Sequence, residues 1–529
     1  MSETRSSEQT TASPLIGETQ LYIDGRWRHA SDGSTRDIVN PATGATFMTV
    51  DEATPADATA AITAARRAFD HGEWPRTPVA ERAALLRRIA DLVAANRAEL
   101  SRLETLDTGK TLAESLIDLT DVESVLRYYA SLVEVTADRA VDVGNPAVIS
   151  RVVREPIGVC VLIAPWNYPL LQMSWKIAPA LAAGCTMVAK PSEVTPLSTI
   201  AFVLLCEQAG VAPGVLNLLQ GAGSSLGPAL TDTDDVDFIS FTGGLSTGRV
   251  ISATAAQHIT KVAVELGGKN PHIVFADADW ESAVDLVLTG VFLHSGQVCS
   301  AGTRVIVEES IADDFVDALV TATSQIRIGD GLDPRSATGP LVSQAQLDKM
   351  TDYVASALAE GAVLRTGGGA PESADRHPGG YWFSPTIFDH CDRSMRIVRE
   401  ETFGPILTVE RFTTEAQALA LGNDTDYGLA AGVQTSDAAV AARMTRGLRH
   451  GTVWCNDFGY YTPAAEWGGF GKSGNGRELG PTGLAEYQET KHIWHNTAPT
   501  APRWFTSEGT HRDDIKNDDI RNDDTGQHG

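Results

Sequence analysis

Apolar residues recur at helical spacing in three early stretches of the chain, residues 56–69, 78–97 and 112–135. Pro55 and Pro78 stand at two of the starts, where a missing N–H costs nothing. Between 141 and 153 the pattern alternates loosely around Gly144-Asn145-Pro146, which predicts a β-hairpin. From 157 to 264 two periodicities take turns. Short apolar runs at 159–164, 186–190, 215–219, 236–241 and 261–264 read as strands. Helical patterns at 170–183, 196–208, 226–230 and 247–257 separate them. Repeated βα units imply an α/β fold with a doubly wound parallel sheet, whose ligands sit beyond the carboxyl ends of the strands. A second βα series follows from 272 to about 458, with strands at 273–275, 304–308, 406–412 and 451–455. The expected architecture is two α/β halves with chemistry near their junction, plus a projecting hairpin arm.

The two ends break the pattern. The first 14 residues are polar and lack the apolar core of a signal peptide, so a disordered leader is expected. The segment from Asp513 to Asp524 is acidic and low in complexity, which predicts a disordered tail. Hydrophobic residues make up 43% of the 529 and charged residues 21%, as in soluble globular proteins. The net charge of −26 disfavours nucleic acid and anionic membranes as partners. No apolar run approaches the length of a membrane span. Six cysteines occur without a CxxC pair or metal-ligand spacing, so neither a disulfide framework nor a metal is expected, and a reducing cytoplasm fits. Cys160, Cys185, Cys206 and Cys455 lie in apolar surroundings and read as core. Cys391 is ambiguous.

The remaining cysteine, Cys299, sits in the small-residue loop Gly296-Gln297-Val298-Cys299-Ser300-Ala301-Gly302. Upstream, Glu265 opens a second glycine turn, Glu265-Leu266-Gly267-Gly268-Lys269. A thiol and a carboxylate in such loops suit covalent catalysis followed by general-base hydrolysis. Four further loops end strands. Phe241-Thr242-Gly243-Gly244 opens a helix whose first N–H groups suit a phosphate, though a plain tight turn explains it equally well. Lys190-Pro191-Ser192-Glu193 offers a cation and an acid to ribose hydroxyls, or is a capped surface turn. Asn167, in Pro165-Trp166-Asn167-Tyr168-Pro169, is an oxyanion donor or the centre of an Asx-turn. Glu401 and Phe403, in Glu400-Glu401-Thr402-Phe403-Gly404-Pro405, hold a ribose and a nicotinamide ring, or mark a helix end. His294, five residues before Cys299, reads as a packed or surface side chain.

Taken together in this order and spacing, the motifs resemble those of the NAD(P)-dependent aldehyde dehydrogenase superfamily, over about residues 21–504. The resemblance implies a Rossmann-type cofactor domain at 20–135 and 156–266 and a catalytic domain at 267–484. It further implies an oligomerisation arm at 136–155 and 485–505, between the leader (1–19) and the tail (506–529). Cys299 is then the nucleophile, Asn167 the oxyanion donor and Glu265 the base for deacylation. Ile163, Ala164, Trp166, Lys190, Ser192, Glu193, Gly223, Phe241, Thr242, Gly243, Gly244, Leu266, Glu401 and Phe403 are the expected cofactor contacts. The cofactor is NAD, with NADP left open because Glu193 can swing aside. Many members carry Ser at the position of Gly244, so here backbone donors must serve the phosphate.

The stretches 452–458, 466–480 and 491–493 are similar to the branch that oxidises betaine aldehyde to glycine betaine. In that branch Tyr168, Trp175 and Trp467 match positions lining a pocket for a trimethylammonium group, and Asp457 offers a compensating charge. Leu293 stands where some members have a further Trp. A small-molecule aldehyde and a homo-oligomer, dimer or tetramer, are the implied partners. A broad aliphatic or aminoaldehyde dehydrogenase is the alternative within the fold. A redox-independent Cys hydrolase or acyltransferase is the alternative outside it.

Overall fold

The computed structural model of the protein describes residues 19–372 and 378–500, together with Leu15 and Phe505. The expected leader, apart from Leu15 and Thr19, and the tail 506–529 lie outside the described residues.

Capping chemistry starts the early helices. Thr54 accepts from the Asp57 N–H and Asp57 returns the bond to the Thr54 N–H, with Pro55 in the first position of helix Pro55–Asp70. Thr111 and Glu114 repeat the arrangement at Leu112–Val135. The pattern at 78–97 folds as helix Val79–Ala95, which stops at Asn96, whose side-chain amide bonds back to the Leu92 carbonyl. A further helix, Arg97–Thr108, which the sequence reading did not include, departs from there.

One sheet orders its strands Gly474–Asn475, Lys261–Leu266, Phe238–Gly243, Val159–Ile163, Thr186–Lys190, Leu216–Leu218, Leu21–Ile23, Arg26–Arg28. The five strands from Lys261–Leu266 to Leu216–Leu218 are parallel and the outer ones antiparallel. Val159–Ile163 and Thr186–Lys190 are buried at every residue, because helices cover both faces. A second sheet orders Val363–Thr366, Thr386–Asp389, Ile406–Phe412, Arg304–Glu308, Pro271–Val274, Ala430–Gln434, Thr452–Cys455. It is parallel except for its first pair. Both sheets belong to one compact unit, whose described residues are 15, 19–136, 155–372 and 378–489. A second unit, described over 137–154, 490–500 and 505, carries strand Arg139–Ala140, which pairs with Arg151 and Val152 of strand Val148–Pro156.

Two expectations shift. Strand Phe238–Gly243 starts and ends two residues later than its apolar run, so Gly243 belongs to the strand and Gly244 alone precedes helix Leu245–His258. Cys455 is half-buried rather than core, because Thr452–Cys455 is the edge strand of its sheet.

Strand Arg304–Glu308 leads away from the Cys299 loop and is anchored by charge. Arg304 Nε and Nη2 donate to the two Glu410 oxygens at 2.7 and 3.0 Å, and Nη2 also reaches the Leu421 carbonyl at 3.1 Å. Both side chains are almost fully buried, at 1% and 3% exposure. Removing one partner strands the other charge in a low-dielectric interior. Glu410→Ala is therefore expected to cost about 3–5 kcal/mol. Thermal or urea unfolding should show a clearly lowered midpoint; a midpoint like the parent's would disprove the anchoring role.

Candidate active site

The chain approaches Cys299 through an unusual turn. Helix Trp280–Phe292 ends, and His294, Ser295 and Gly296 follow with φ of +48°, +54° and +69°. Three successive left-handed residues fold the loop tightly back; a Cβ on Gly296 would lie 2.3 Å from the Gly404 carbonyl oxygen. Side-chain amides then stitch the loop down. Asn270 Nδ2 donates to the Cys299 and Ala301 carbonyls at 2.9 and 3.0 Å. Gln297 Oε1 accepts from the Val342 N–H at 2.9 Å. Asn167 Nδ2 donates to the Gln297 carbonyl at 2.8 Å. This bond uses one of the two amide protons of Asn167 and leaves the second free for an oxyanion.

Glu265 ends strand Lys261–Leu266, buried, with neither carboxyl oxygen hydrogen-bonded. Burial first, and the nearby Glu478 second, push its pKa well above the carboxylate range. Lys176 opposes them from the buried helix Pro169–Ala183. The Trp467 indole acts in the same sense as Lys176 but makes no hydrogen bond of ordinary geometry to Glu265. Lys176 is itself committed: it pairs with Glu478 and donates to Thr242 at 2.8 Å and Ser240 at 3.1 Å.

Cys299 keeps partial exposure, yet its sulfur is crowded by protein. Burial, then the Glu265 and Glu401 charges, raise the thiol well above its ordinary pKa; the Ser300 and Cys299 N–H groups pull weakly the other way. Burial and the two carboxyl groups both oppose the thiolate, so they hold the thiol toward its neutral form.

A cavity of about 740 Å³ opens at Cys299 and Asn167. Ile163, Ala164, Trp166, Lys190, Ser192, Glu193, Gly223, Phe241, Thr242, Gly243, Gly244, Leu266, Glu401 and Phe403 all line it. Lys190 and Glu193 form an ion pair at 3.5 Å. The Trp166 and Phe403 rings meet edge to face at 5.1 Å. Glu401 Oε1 accepts from the Gly268 N–H at 3.1 Å and lies across Gly267, where a Cβ would come within 1.9 Å of it. Burial pushes Glu401 up to about 7, against the pull of Lys349, the Gly268 N–H and Lys269. Gln346 and Lys349, from helix Gln344–Ala359, also line the cavity. The sequence reading missed them, because nothing in that amphipathic helix distinguishes a polar residue facing the cavity from one facing solvent.

Tyr168, Trp175, Trp467 and Asp457 do not line this cavity. Trp175 lies 5.2 Å from Tyr461 and 6.0 Å from Trp467, ring to ring, and Trp454 lies 6.3 Å from Trp467. Tyr461 Oη donates to Asp121 at 2.7 Å. Tyr461, Trp454 and Asp121 are further residues that the sequence reading did not single out; the only local signal was a density of aromatics after 453. Asp457 caps its own turn, accepting from the Phe458 N–H at 2.9 Å.

Two α/β sheets, a cysteine loop and a carboxylate beside a long cavity define a class, and the sequence profile of the aldehyde dehydrogenase family matches residues 27–493. The chain belongs to that family. It is 50% identical to a betaine aldehyde dehydrogenase of Bacillus subtilis, over 92% of this chain and 99% of that one. It is 41% identical to a peroxisomal aminoaldehyde dehydrogenase of Pisum sativum, over 93% and 98%. A crystal structure of a betaine aldehyde dehydrogenase from Staphylococcus aureus in complex with NAD+ matches with a TM-score of 0.91 and 48% identity, over 92% of this chain and 97% of that one.

A thiol whose pKa is raised is mostly protonated at neutral pH, and only the thiolate is nucleophilic. Alkylation of Cys299 by iodoacetamide in the free protein should therefore climb steadily from pH 7 to 9, about tenfold per unit. Mass mapping of the modified cysteine follows it. A rate already at its plateau at pH 7 would contradict the neutral resting thiol.

Proposed function

We propose that the protein is an NAD-dependent dehydrogenase that converts an aldehyde to its carboxylic acid through a thiohemiacetal and a thioester on Cys299. The observation that carries this reading is the convergence of Cys299, Asn167 and the expected cofactor residues on one cavity, with Glu265 buried and free of hydrogen bonds close by.

The cavity suits the cofactor. The N-terminus of helix Leu245–His258 offers backbone N–H groups to a pyrophosphate, and Gly244 leaves open space there. Lys190 and Glu193 would hold one ribose; Glu401, with Lys349 and Gln346, would hold the other. Glu193 disfavours a 2′-phosphate, which supports NAD over NADP. When bound, the cofactor supplies a two-electron hydride acceptor.

The chain's own groups supply the rest. The Cys299 thiol first releases its proton to solvent; the thiolate sulfur then adds to the aldehyde carbon, and the oxyanion accepts from the second Asn167 N–H and the Cys299 N–H. Losing such a donor typically costs about 10²–10³ in rate. Once the adduct carbon is oxidised, the acyl group remains on sulfur as a thioester. Glu265, as its carboxylate, takes a proton from water, the hydroxide attacks the thioester, the thiolate leaves and recovers that proton from Glu265, and the acid departs. The raised pKa of Glu265 fits a base that must exchange a proton near neutrality.

Betaine aldehyde is the substrate we infer, giving glycine betaine. Tyr168, Trp175, Tyr461 and Trp467 offer aromatic faces to a quaternary ammonium group, and the relatives named above support the choice. Asp121 favours a second reading, a primary aminoaldehyde, because its carboxylate can accept from an ammonium that carries protons. Six free cysteines support a reducing, cytoplasmic setting. Among the described residues no helix is long and apolar enough to cross a membrane. Exposed Ile149, Ile493 and Trp494 on the small unit support a homo-oligomer, dimer or tetramer, joined through it.

Two outcomes test these assignments. Glu265→Gln should accumulate an acyl-enzyme at Cys299, visible as an adduct mass, and lose about 10²–10⁴ in kcat; full turnover by the variant would remove Glu265 from its role. Steady-state kinetics with NAD+ should give a higher kcat/KM for betaine aldehyde than for 4-aminobutanal or for 3,3-dimethylbutanal, its uncharged isostere. Equal values for the charged and uncharged pair would refute the trimethylammonium assignment.

A further inference from the structure

His294 is a buried residue that the reaction does not use. It is 1% exposed, and neither ring nitrogen makes a hydrogen bond of ordinary geometry. Burying an imidazole this way carries a desolvation cost, so its place calls for a physical reason. Its backbone is heavily constrained. The N–H donates to Glu114 Oε1 at 2.7 Å. The carbonyl accepts from the Gln297 N–H at 3.1 Å and from Gln297 Nε2 at 3.2 Å. With φ at +48° the position tolerates His or Asn far better than a bulky aliphatic side chain.

The ring has one aromatic neighbour of consequence. It meets Tyr168 edge to face, centroids 5.7 Å apart at 68°. Tyr168 has a second buried support: Lys110 Nζ lies 4.3 Å from its centroid. Lys110 is fully buried and neutralised by Asp118 at 2.6 Å, with Glu104 at 3.8 Å. The phenol ring is thus held by an ammonium over one face and by a T-shaped contact with the imidazole. The imidazole stays uncharged: burial, with Lys110 adding to it, drives its pKa far down. A charged ring here would set a second cation against Tyr168.

We propose that His294 is a positioning residue that sets selectivity for a cationic aldehyde by fixing the orientation of the Tyr168 ring. This rests on the cationic-substrate reading above. A cation over an aromatic ring is attracted only when the face is presented to it. An alkyl group gains from burial in any orientation. Loosening Tyr168 therefore penalises a trimethylammonium group more than its uncharged isostere. Lys110 lies over one face, so a substrate cation would have to meet the other, and the angle of the ring decides how that face is presented.

The test uses His294→Asn, which suits the left-handed backbone and removes the ring, and His294→Phe, which keeps an aromatic edge. For His294→Asn the KM for betaine aldehyde should rise about five- to tenfold, with kcat and the KM for 3,3-dimethylbutanal within about twofold of the parent. His294→Phe should restore most of the preference; if it does not fold, the Asn variant decides alone. On a Tyr168→Ala background His294→Asn should have no further effect. Equal changes for both aldehydes, no change for either, or an effect that persists without Tyr168 would overturn the proposal. If the parent shows no preference for the charged aldehyde, the substrate reading fails separately. The same double-mutant cycle is then read on the preferred aldehyde: additivity overturns the role of His294 and non-additivity supports it.

Discussion

One buried side-chain amide holds the site together. Asn270 gives its two N–H protons to the Cys299 and Ala301 carbonyls and takes the Ala430 N–H on its oxygen at 3.0 Å. Three of its four hydrogen-bonding positions are filled, and each partner belongs to a different piece of chain from the turn that carries Asn270 itself. It joins the end of the Glu265 turn, the nucleophile loop and a strand of the second sheet. Gly268 is part of the same constraint, since a Cβ there would come within 2.4 Å of the Asn270 oxygen. The carbonyl of Cys299 itself and that of Ala301 are pinned, so the loop at Cys299 is tied to the sheet rather than held by its own contacts alone.

That rigidity coexists with a hostile electrostatic setting. Glu265, Glu401 and Glu478 lie close enough to be felt electrically in one buried region, and Lys176 is bound to Glu478. Burial and like charge act together, and the cheapest response is protonation of the groups least able to find a partner. The Cys299 thiol and the Glu265 carboxyl are both pushed toward their protonated forms. Perturbed titration in a cleft is the physical mark of a working site.

Much of the cofactor cavity was legible in the sequence, because it is built from loops at strand ends. Gly244, Lys190, Glu193, Asn167 and Glu401 each follow a strand or begin a turn, and their residue types are unusual enough there to be noticed. Gln346 and Lys349 were not legible, since they sit on an ordinary amphipathic helix and face the cavity only through packing. Helix Arg97–Thr108 went unread, since it follows Asn96 with no separating loop. Tyr461 and Asp121 are far apart in the chain, and only folding brings them to 2.7 Å.

The sequence by itself determined the alternation of strands and helices, and with it a doubly wound sheet, because burial on both faces demands continuous apolar strands separated by amphipathic helices. It also marked Asn167, Lys190, Glu193 and Gly244 on strand-end loops that line the cavity, although each loop read alone also fits an ordinary turn. The tertiary structure alone decided the direction in which Cys299 and Glu265 are shifted, the commitment of Lys176 to Glu478 and the contacts of Tyr168 with Lys110 and His294. These depend on distances between groups remote in sequence and on how much water each retains. Neither quantity is written in local pattern; both follow from how the elements close-pack around one another.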